Sequence, residues 1–209
     1  MTEREKCNKC LLYDTNTPER EKEHIACMEL CYDYNRIRPS DHEERDRILR
    51  KLFGKIGKLP YVEPNLFCGF GYNIEAGDFF YVNHNCVFID PGKITFGNNV
   101  LIGPQCGFYT AIHPLDATMR NNNLEVAYPI HVGNNVWFGG GVKVLPGVSI
   151  GDNAVIGAGS IVSTNIPPSV LAFGNPCKVR KTITEADRTR FSIPEYAETP
   201  DDWISSSFS

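Results

Sequence analysis

Cysteine and histidine are the residue types whose spacing in this chain suggests chemistry. The eight cysteines stand at 7, 10, 27, 31, 68, 86, 106 and 177. Cys7 and Cys10 form a C-x2-C pair, and Cys27 and Cys31 are four residues apart on a predicted helix, so a four-thiolate zinc site is one interpretation. The two pairs lack the spacing of a known zinc ribbon, and we therefore expect no metal requirement.

The histidines indicate a different chemistry. His113, one of five histidines, is followed by Pro114 in a stretch of about twenty residues that interrupts the pattern described below. Near neutral pH an imidazole can take a proton from a hydroxyl, whereas a surface role is the alternative for any single histidine. A zinc site is a further alternative, since His113 and His131 are eighteen residues apart, but the long loop intervenes and only distant His84 stands at a matching step.

A six-residue period organises the second half of the chain. From residue 132 it reads VGNNVW, FGGGVK, VLPGVS, IGDNAV, IGAGSI, VSTNIP. Large apolar residues hold the first place and mostly small or β-branched residues the fifth: Val132, Phe138, Val144, Ile150, Ile156 and Val162, then Val136, Val142, Val148, Ala154, Ser160 and Ile166. Upstream, the sixfold step continues through Ala76, Val82, Phe88 and Ile94, and Cys86 and Cys106 fall on inward positions.

This period predicts a triangular parallel β-helix in which three hexads form a coil of eighteen residues. Glycine and asparagine fill most places between the apolar ones, as corners with positive φ require. An antiparallel sheet protein is the alternative, but its pattern would alternate with a period of two. The period does not determine the handedness of the coil, and general crossover rules favour right-handed connections.

The first sixty residues predict two short amphipathic helices. Thr17 is a candidate N-cap with Pro18 at the first helical position, and Ser40 with Glu43 forms a candidate capping box. The apolar residues at helical spacing are Ile25, Met28 and Tyr32, then Ile48, Leu49, Leu52, Phe53 and Ile56. We therefore expect a helical module at 1–60, a β-helix domain at 61–186 with a loop at 109–131, and a C-terminal tail at 187–209.

Composition excludes several classes of function. The formal net charge of -4 supplies no basic field for nucleic acid, and no apolar run approaches the ~18 residues of a membrane helix. The polar start MTEREKCNKC does not resemble a secretory signal. We expect a cytoplasmic protein without a nucleic-acid or membrane partner.

Longer motifs carry a resemblance to a known family. The stretches are LYDTNTPE, FYVNHNCVFID, HPLDATMR with LEVAYPI, GNNVWFGGGVKVLPGVSIGDNAVIGAGSIV and GNPCKVRK. Over roughly residues 5 to 185 the chain resembles the maltose, galactoside and nodulation-factor O-acetyltransferases of the hexapeptide-repeat superfamily. The resemblance implies a left-handed β-helix, a homotrimer with active sites between subunits, and direct transfer of an acetyl group from acetyl-CoA to a hydroxyl of a small sugar.

The resemblance also implies roles for individual residues. His113 matches the general base, which projects toward a neighbouring subunit. Positions that line the acceptor pocket in relatives are occupied by Asp14, Tyr81 and Asp90, and Asn83 matches a family asparagine beside the catalytic centre. Glu125, from the loop, is a candidate either to orient His113 or to bind the acceptor. Turn or cap roles are the alternatives for the two aspartates and for Asn83, and a solvated charge is the alternative for Glu125.

For the donor, the resemblance implies a pantetheine groove and a nucleotide end. Trp137 would pack beside the pantetheine arm, main-chain groups at Gly140 and Ala158 would pair with its amides, and Asn83 would orient acceptor or cofactor groups. The backbone near Gly140 is also a candidate partner for the oxyanion formed on the thioester carbonyl. Positions near the nucleotide are occupied by Ser163, Thr164, Lys178 and Lys181, for which an ordinary surface location is the alternative.

Departures from the family pattern leave the acceptor open. His24 stands where galactoside enzymes carry an arginine, Pro91 stands where they carry an aspartate, and Ser163-Thr164 replaces a threonine-lysine pair. Acetylation of xenobiotics is the enzymatic alternative, although those relatives usually lack the N-terminal helices. A trimeric scaffold without catalysis is the other alternative, and it predicts that no acetyl-CoA is consumed.

Overall fold

The structure is a computed structural model that describes residues 1–189. Apart from its first three residues, the predicted tail at 187–209 lies outside this range. The helices are α1 (Glu3–Asn8), α2 (Pro18–Tyr34), α3 (His42–Leu52), α4 (Ala117–Asn121) and α5 (Glu185–Thr189). No helix of the described range is long and apolar enough to cross a membrane.

The starts of α2 and α3 test the two predicted caps. The Thr17 hydroxyl accepts a hydrogen bond from the Arg20 N–H, and Pro18 opens α2 as expected. The predicted cap of α3 was wrong by one residue, because Asp41 and not Ser40 caps this helix and accepts from the Glu44 N–H. An ionised carboxylate at the positive end of a helix dipole is a stronger acceptor than a hydroxyl.

The buried face of α2 differs from the predicted one. Ile25, Met28 and Tyr32 are all more than half exposed. The face that packs on the β-helix carries Cys27, Cys31 and Tyr34 instead. Two hydrogen bonds define this orientation, since the Tyr34 hydroxyl donates to the Val62 carbonyl at 2.5 Å and the Cys27 thiol donates to the Cys68 carbonyl at 3.4 Å.

The strands are short and numerous. They are β1 (Tyr13–Asp14), β2 (Lys55–Ile56), β3 (Tyr61–Val62), β4 (Phe67–Cys68), β5 (Ile74–Ala76), β6 (Tyr81–Val82), β7 (Val87–Ile89), β8 (Ile94–Phe96), β9 (Leu101–Ile102), β10 (Gly107–Tyr109), β11 (Ala111–Ile112), β12 (Leu124–Ala127), β13 (Ile130–Val132), β14 (Trp137–Phe138), β15 (Lys143–Val144), β16 (Ser149–Ile150), β17 (Val155–Ile156), β18 (Ile161–Val162), β19 (Val170–Phe173) and β20 (Lys178–Thr182). The first β-helix strand is β2, so the helical module ends before residue 60 and Ile56 belongs to a strand.

Three parallel sheets form the three sides of the β-helix, which we call the prism. The first, sheet I, has the order β18-β15-β10-β7-β4, sheet II has the order β16-β13-β8-β5-β2, and sheet III has the order β20-β19-β17-β14-β9-β6-β3, with β20 antiparallel to β19. This confirms the predicted β-helix, a parallel solenoid of about 6 turns. A continuous buried core of aromatic and aliphatic side chains fills the interior, with Phe88 stacked on Phe108 at a centroid distance of 5.2 Å.

The length of a coil changes along the prism. Downstream, Phe138 pairs with Ile156, eighteen residues later, as predicted. Upstream, Cys68 pairs with Phe88 and Phe88 with Phe108, so these coils have twenty residues and the prediction of eighteen was wrong there. The extra residues lengthen the strands of sheet II, where both ends of β8 are buried.

The predicted loop is a small folded unit. The hydrogen bonding of the prism stops after β10 and resumes at β13, close to the predicted limits. Between them, β11 and β12 form a hairpin around α4, and β1 adds a third antiparallel strand in the order β1-β12-β11. We call this unit the accessory sheet, and it joins the loop to the N-terminal module.

Candidate active site in the accessory sheet and the sheet III groove

His113 lies directly after β11 with its side chain 52% exposed. Its Nδ1 lies 3.3 Å from the Leu124 carbonyl oxygen, and its Nε2 lies 3.5 Å from Oε2 of Glu125. A carbonyl only accepts hydrogen bonds, so a neutral ring donates from Nδ1 and leaves the lone pair on Nε2. This tautomer suits the ring for proton abstraction at Nε2.

Glu125 joins His113 to the protein interior. The residue is buried, and its Oε1 accepts a hydrogen bond from the hydroxyl of Tyr13, which is also buried. Burial, together with this bond to a carboxylate, raises the pKa of Tyr13 far above its usual value. The phenol therefore remains a donor at any physiological pH. Because Glu125 is buried and paired, the alternative of a solvated surface charge is excluded.

A buried cation, Arg20, lies near the Tyr13 ring. The Arg20 guanidinium lies 3.9 Å from the Phe70 ring centroid and 5.5 Å from that of Tyr13, and it donates to the Tyr72 hydroxyl at 3.1 Å. Arg20 is 3% exposed, and its Nε has no hydrogen-bond partner in the described part of the chain. Burial raises the pKa of the Cys7 thiol next to Tyr13, so this sulfur stays neutral.

The two predicted acceptor aspartates occupy different environments. Asp14 is half-buried on β1 opposite Leu124, whose carbonyl oxygen lies 3.3 Å from His113 Nδ1, and its Oδ1 accepts from the Asn16 N–H at 2.8 Å. Asp90 is 0% exposed, and its Oδ1 accepts from the Gly69 and Phe70 N–H groups. Burial raises the pKa of Asp90 to about 6. For Asp90 the geometry favours the turn role over contact with an acceptor.

Three of the predicted donor residues, Asn83, Trp137 and Gly140, line a groove on sheet III. The lining also includes Tyr81, which was predicted for the acceptor, together with Leu101, Gly103 and Pro104. The indole of Trp137 is 51% exposed, so it presents an apolar face to this groove. Asn83 also has the corner role considered as its alternative, because its Oδ1 accepts from the His84 N–H at 2.7 Å.

Main-chain donors lie along the same edge. Gly139 and Gly140 stack on the next coil, where the Gly159 N–H donates to the Gly140 carbonyl at 2.9 Å. Within residues 1–189, neither the N–H of Gly140 nor that of Ala158 donates a hydrogen bond. These two groups are therefore available to a ligand.

The predicted nucleotide-end residues lie at two separate places. Ser163 and Thr164 are exposed just after β18 on sheet I. Lys178 and Lys181 are exposed on β20, at the end of sheet III, and the Lys181 ammonium forms an ion pair with Asp187. Binding of an anion by Lys181 would compete with this pair.

A single chain does not bring all of these residues together. His113, Glu125 and Asp14 belong to the accessory sheet, whereas the groove residues belong to sheet III and its lining does not include His113. Sequence reasoning missed Tyr13 and Arg20. Tyr13 stands in the LYDTNTPE stretch directly before Asp14, but nothing local marks it as a partner of a residue 112 positions away.

Neither zinc alternative is supported within residues 1–189. Cys7 packs with Tyr13, whereas Cys27 and Cys31 pack in the core of the prism. His131 bonds the Thr95 hydroxyl at 2.9 Å, on a sheet that does not include His113. No cluster of metal-ligating side chains occurs in the described range.

Two family models match the chain. The maltose acetyltransferase hexapeptide capping motif covers residues 11–57, which contain α2 and α3. The bacterial transferase hexapeptide model, with six repeats, covers residues 129–164. The two matches correspond to the helical module and to the downstream coils of the prism.

Known proteins of the same kind align over most of the chain. A galactoside O-acetyltransferase of Escherichia coli K12 is 42% identical over 76% of this chain and 78% of that protein. The crystal structure of a maltose O-acetyltransferase from Clostridium difficile 630 superposes with a TM-score of 0.87 at 46% identity, over 88% of this chain and 99% of that one. A galactoside acetyltransferase solved in complex with coenzyme A also superposes with a TM-score of 0.87. It is 36% identical, and the superposition covers 95% of this chain and 98% of that one. The chain therefore belongs to the galactoside and maltose O-acetyltransferase family of hexapeptide-repeat acetyltransferases.

Proposed function

We propose that this acetyltransferase moves the acetyl group of acetyl-CoA directly to a hydroxyl of a small sugar, with His113 as the general base. The observation that carries the proposal is the exposed ring of His113, with Nδ1 beside a main-chain carbonyl and Nε2 beside a buried carboxylate. An unactivated hydroxyl needs such a base near pH 7.

The protein's part in the reaction is proton transfer. When bound, acetyl-CoA supplies an activated acetyl group as a thioester. His113 takes the hydroxyl proton on Nε2 as the acceptor oxygen bonds to the acetyl carbon, and the ring returns that proton to the departing sulfur. Between these steps the ring is a cation, and the nearby Oε2 of Glu125 stabilises it.

The sheet III groove is the proposed donor site. The exposed indole of Trp137 offers an apolar surface, and the free N–H groups of Gly140 and Ala158 suit the amides of a pantetheine arm. Lys178 and Lys181 are the proposed partners of the nucleotide phosphates, with Ser163 and Thr164 as further contacts. A galactoside acetyltransferase relative was solved in complex with coenzyme A, which supports acetyl-CoA as the donor.

We propose a homotrimer with sites between subunits, as the family resemblance implies, and the separation of the two halves of the site supports a site shared between subunits. The base lies on the accessory sheet and the groove on sheet III, so we propose that one subunit supplies His113 to the groove of the next. Mixing His113→Ala with Asn83→Ala subunits tests this arrangement. Random reassembly should restore activity at about a quarter of the sites, whereas sites contained in one chain would stay inactive.

The acceptor pocket is proposed from Asp14, Tyr81 and Asn83, with Glu125 orienting His113 and Asp90 supporting the turn at Gly69 and Phe70. The maltose and galactoside enzymes among the relatives support a small sugar. His24 and Pro91 leave its identity open. His24 is exposed, and its Nδ1 lies 2.7 Å from the Gly69 carbonyl. The cytoplasmic location remains a prediction.

Release of free thiol from acetyl-CoA tests the proposal. The purified chain should release thiol with at least one of glucose, maltose, a galactoside or an amino sugar, and the acetylated sugar should be found by mass spectrometry. The control is the same mixture without an acceptor. Thiol release with an apolar xenobiotic alcohol, and with no sugar, would contradict the proposal that the acceptor is a sugar. The absence of thiol release with every acceptor would favour the alternative of a scaffold without catalysis.

A further inference from the structure

Three side chains form a row across the accessory sheet. Tyr13 on β1 stands directly opposite Glu125 on β12, and Ile112 on β11 stands opposite Val126. Continuing the second register by one residue sets His113 opposite Glu125. Residues directly opposite in antiparallel strands point to the same face, so Glu125 lies between the other two side chains.

We propose that Tyr13 is a positioning residue for the base: its hydroxyl holds one carboxylate oxygen of Glu125, and the other oxygen then faces His113. The inference rests on the proposed function of His113. It assigns to the N-terminal strand, which is 112 positions before Glu125 in the chain, a part in orienting the base.

Burial makes this contact effective. Tyr13 is 1% exposed and Glu125 is 8% exposed, so little water competes for the carboxylate. A carboxylate has two oxygens and rotates freely unless one of them is bonded. With Oε1 bonded to Tyr13, Oε2 lies 3.5 Å from His113 Nε2 and meets the ring when it gains a proton.

Burial and the Glu125 carboxylate raise the pKa of Tyr13, so its hydroxyl stays protonated and donates. The Arg20 guanidinium, 5.5 Å from the Tyr13 ring centroid, acts in the opposite direction, and the neutral thiol of Cys7 packs in the same small cluster. The aromatic ring of Tyr13 fills buried space that phenylalanine would fill equally well. Removing the hydroxyl alone therefore separates positioning from packing.

The test is Tyr13→Phe, combined with Glu125→Gln in a double-mutant cycle. We expect Tyr13→Phe to lower kcat about tenfold and to change the KM for acetyl-CoA less than about twofold, because the donor groove is on another sheet. In the Glu125→Gln background the same substitution should change kcat less than about twofold, because the carboxylate that it orients is gone.

The matched control is Tyr34→Phe, which removes another buried hydroxyl from the N-terminal module. That hydroxyl donates to the Val62 carbonyl on sheet III, so its loss should lower stability and leave kcat unchanged. Wild-type kcat in Tyr13→Phe, or equal effects of Tyr13→Phe in both backgrounds, would overturn the inference and leave His113 in place. Full activity of His113→Ala would instead overturn the proposed function, and the inference with it.

Discussion

The prism and the accessory sheet differ in what holds them together. Each coil of the prism repeats the one before it, buries apolar side chains such as Phe88 and Phe108, and pairs with residues eighteen or twenty positions away. The accessory sheet has no repeat and joins β1 to β12 across more than a hundred residues. At its centre are a buried carboxylate, a buried phenol and a half-exposed imidazole. A regular scaffold thus carries stability, while an irregular insertion carries the proposed chemistry.

Removing the base should give the largest effect. We expect His113→Ala to lower kcat by about 10²–10⁴-fold, because proton abstraction from the acceptor is lost. The midpoint of urea unfolding should stay close to that of the wild type, since the ring is half-exposed. The matched control is His42→Ala, an exposed histidine at the start of α3, which should keep full activity. Full activity of His113→Ala would remove the accessory sheet from the chemistry.

A substitution inside the prism should instead lower stability. Phe108 is fully buried and contacts the rings of Phe88, Phe96 and Phe138. Phe108→Ala should lower the free energy of unfolding by about 3–5 kcal/mol, measured by urea denaturation at constant protein concentration. The control, Phe79→Ala, truncates a ring that is 52% exposed and should cost far less. Equal losses would contradict the assignment of stability to the prism interior.

Asp90 makes stability depend on pH at one corner of the prism. Burial raises its pKa from 3.8 to about 6, so the native state binds this proton more tightly than the unfolded state does. Ionisation therefore costs stability as pH rises through this window. Relative to Asp90→Asn, the wild type should lose about 3 kcal/mol of unfolding free energy between about pH 3.5 and about pH 7.

The control for this experiment is Asp33→Asn, which removes an exposed carboxylate on α2. Its unfolding free energy should run parallel to that of the wild type across the same range. If the unfolding free energy of Asp90→Asn also ran parallel to that of the wild type across this pH range, the Asp90 carboxyl would have an ordinary pKa in the folded protein.

A helix cap should give the smallest effect. Thr17→Ala removes the hydroxyl that accepts from the Arg20 N–H and should cost about 1 kcal/mol of unfolding free energy. Thr17→Ser keeps the acceptor and should cost much less. Equal losses in both variants would mean that the methyl group of Thr17, and not the cap, stabilises the start of α2.

Some features followed from local chemistry and were predicted correctly. The β-helix, the break after Phe108 and the cap at Thr17 each depend on residues close together in the chain, so a pattern of spacing or a single turn is enough to identify them. The failures were also local patterns. Ile25, Met28 and Tyr32 have helical spacing but face outward, because a hydroxyl and a thiol of α2 bond to carbonyls at Val62 and Cys68.

The candidate site was predicted unevenly for the same reason. His113 stood out because it lies in an interruption of a strict repeat, and the residues of the sheet III groove followed from the family resemblance. Tyr13 carried no local signal, and the burial of Asp90 depends on the turn at Gly69 and Phe70, which closes over it.

The amino-acid sequence by itself determined the prism, since a six-residue alternation of large and small apolar side chains has few other ways to be buried. The tertiary structure alone decided that Tyr13, Glu125 and His113 form one row. Strand pairing over such a separation depends on the free energy of the whole fold, and no spacing within any one segment encodes it.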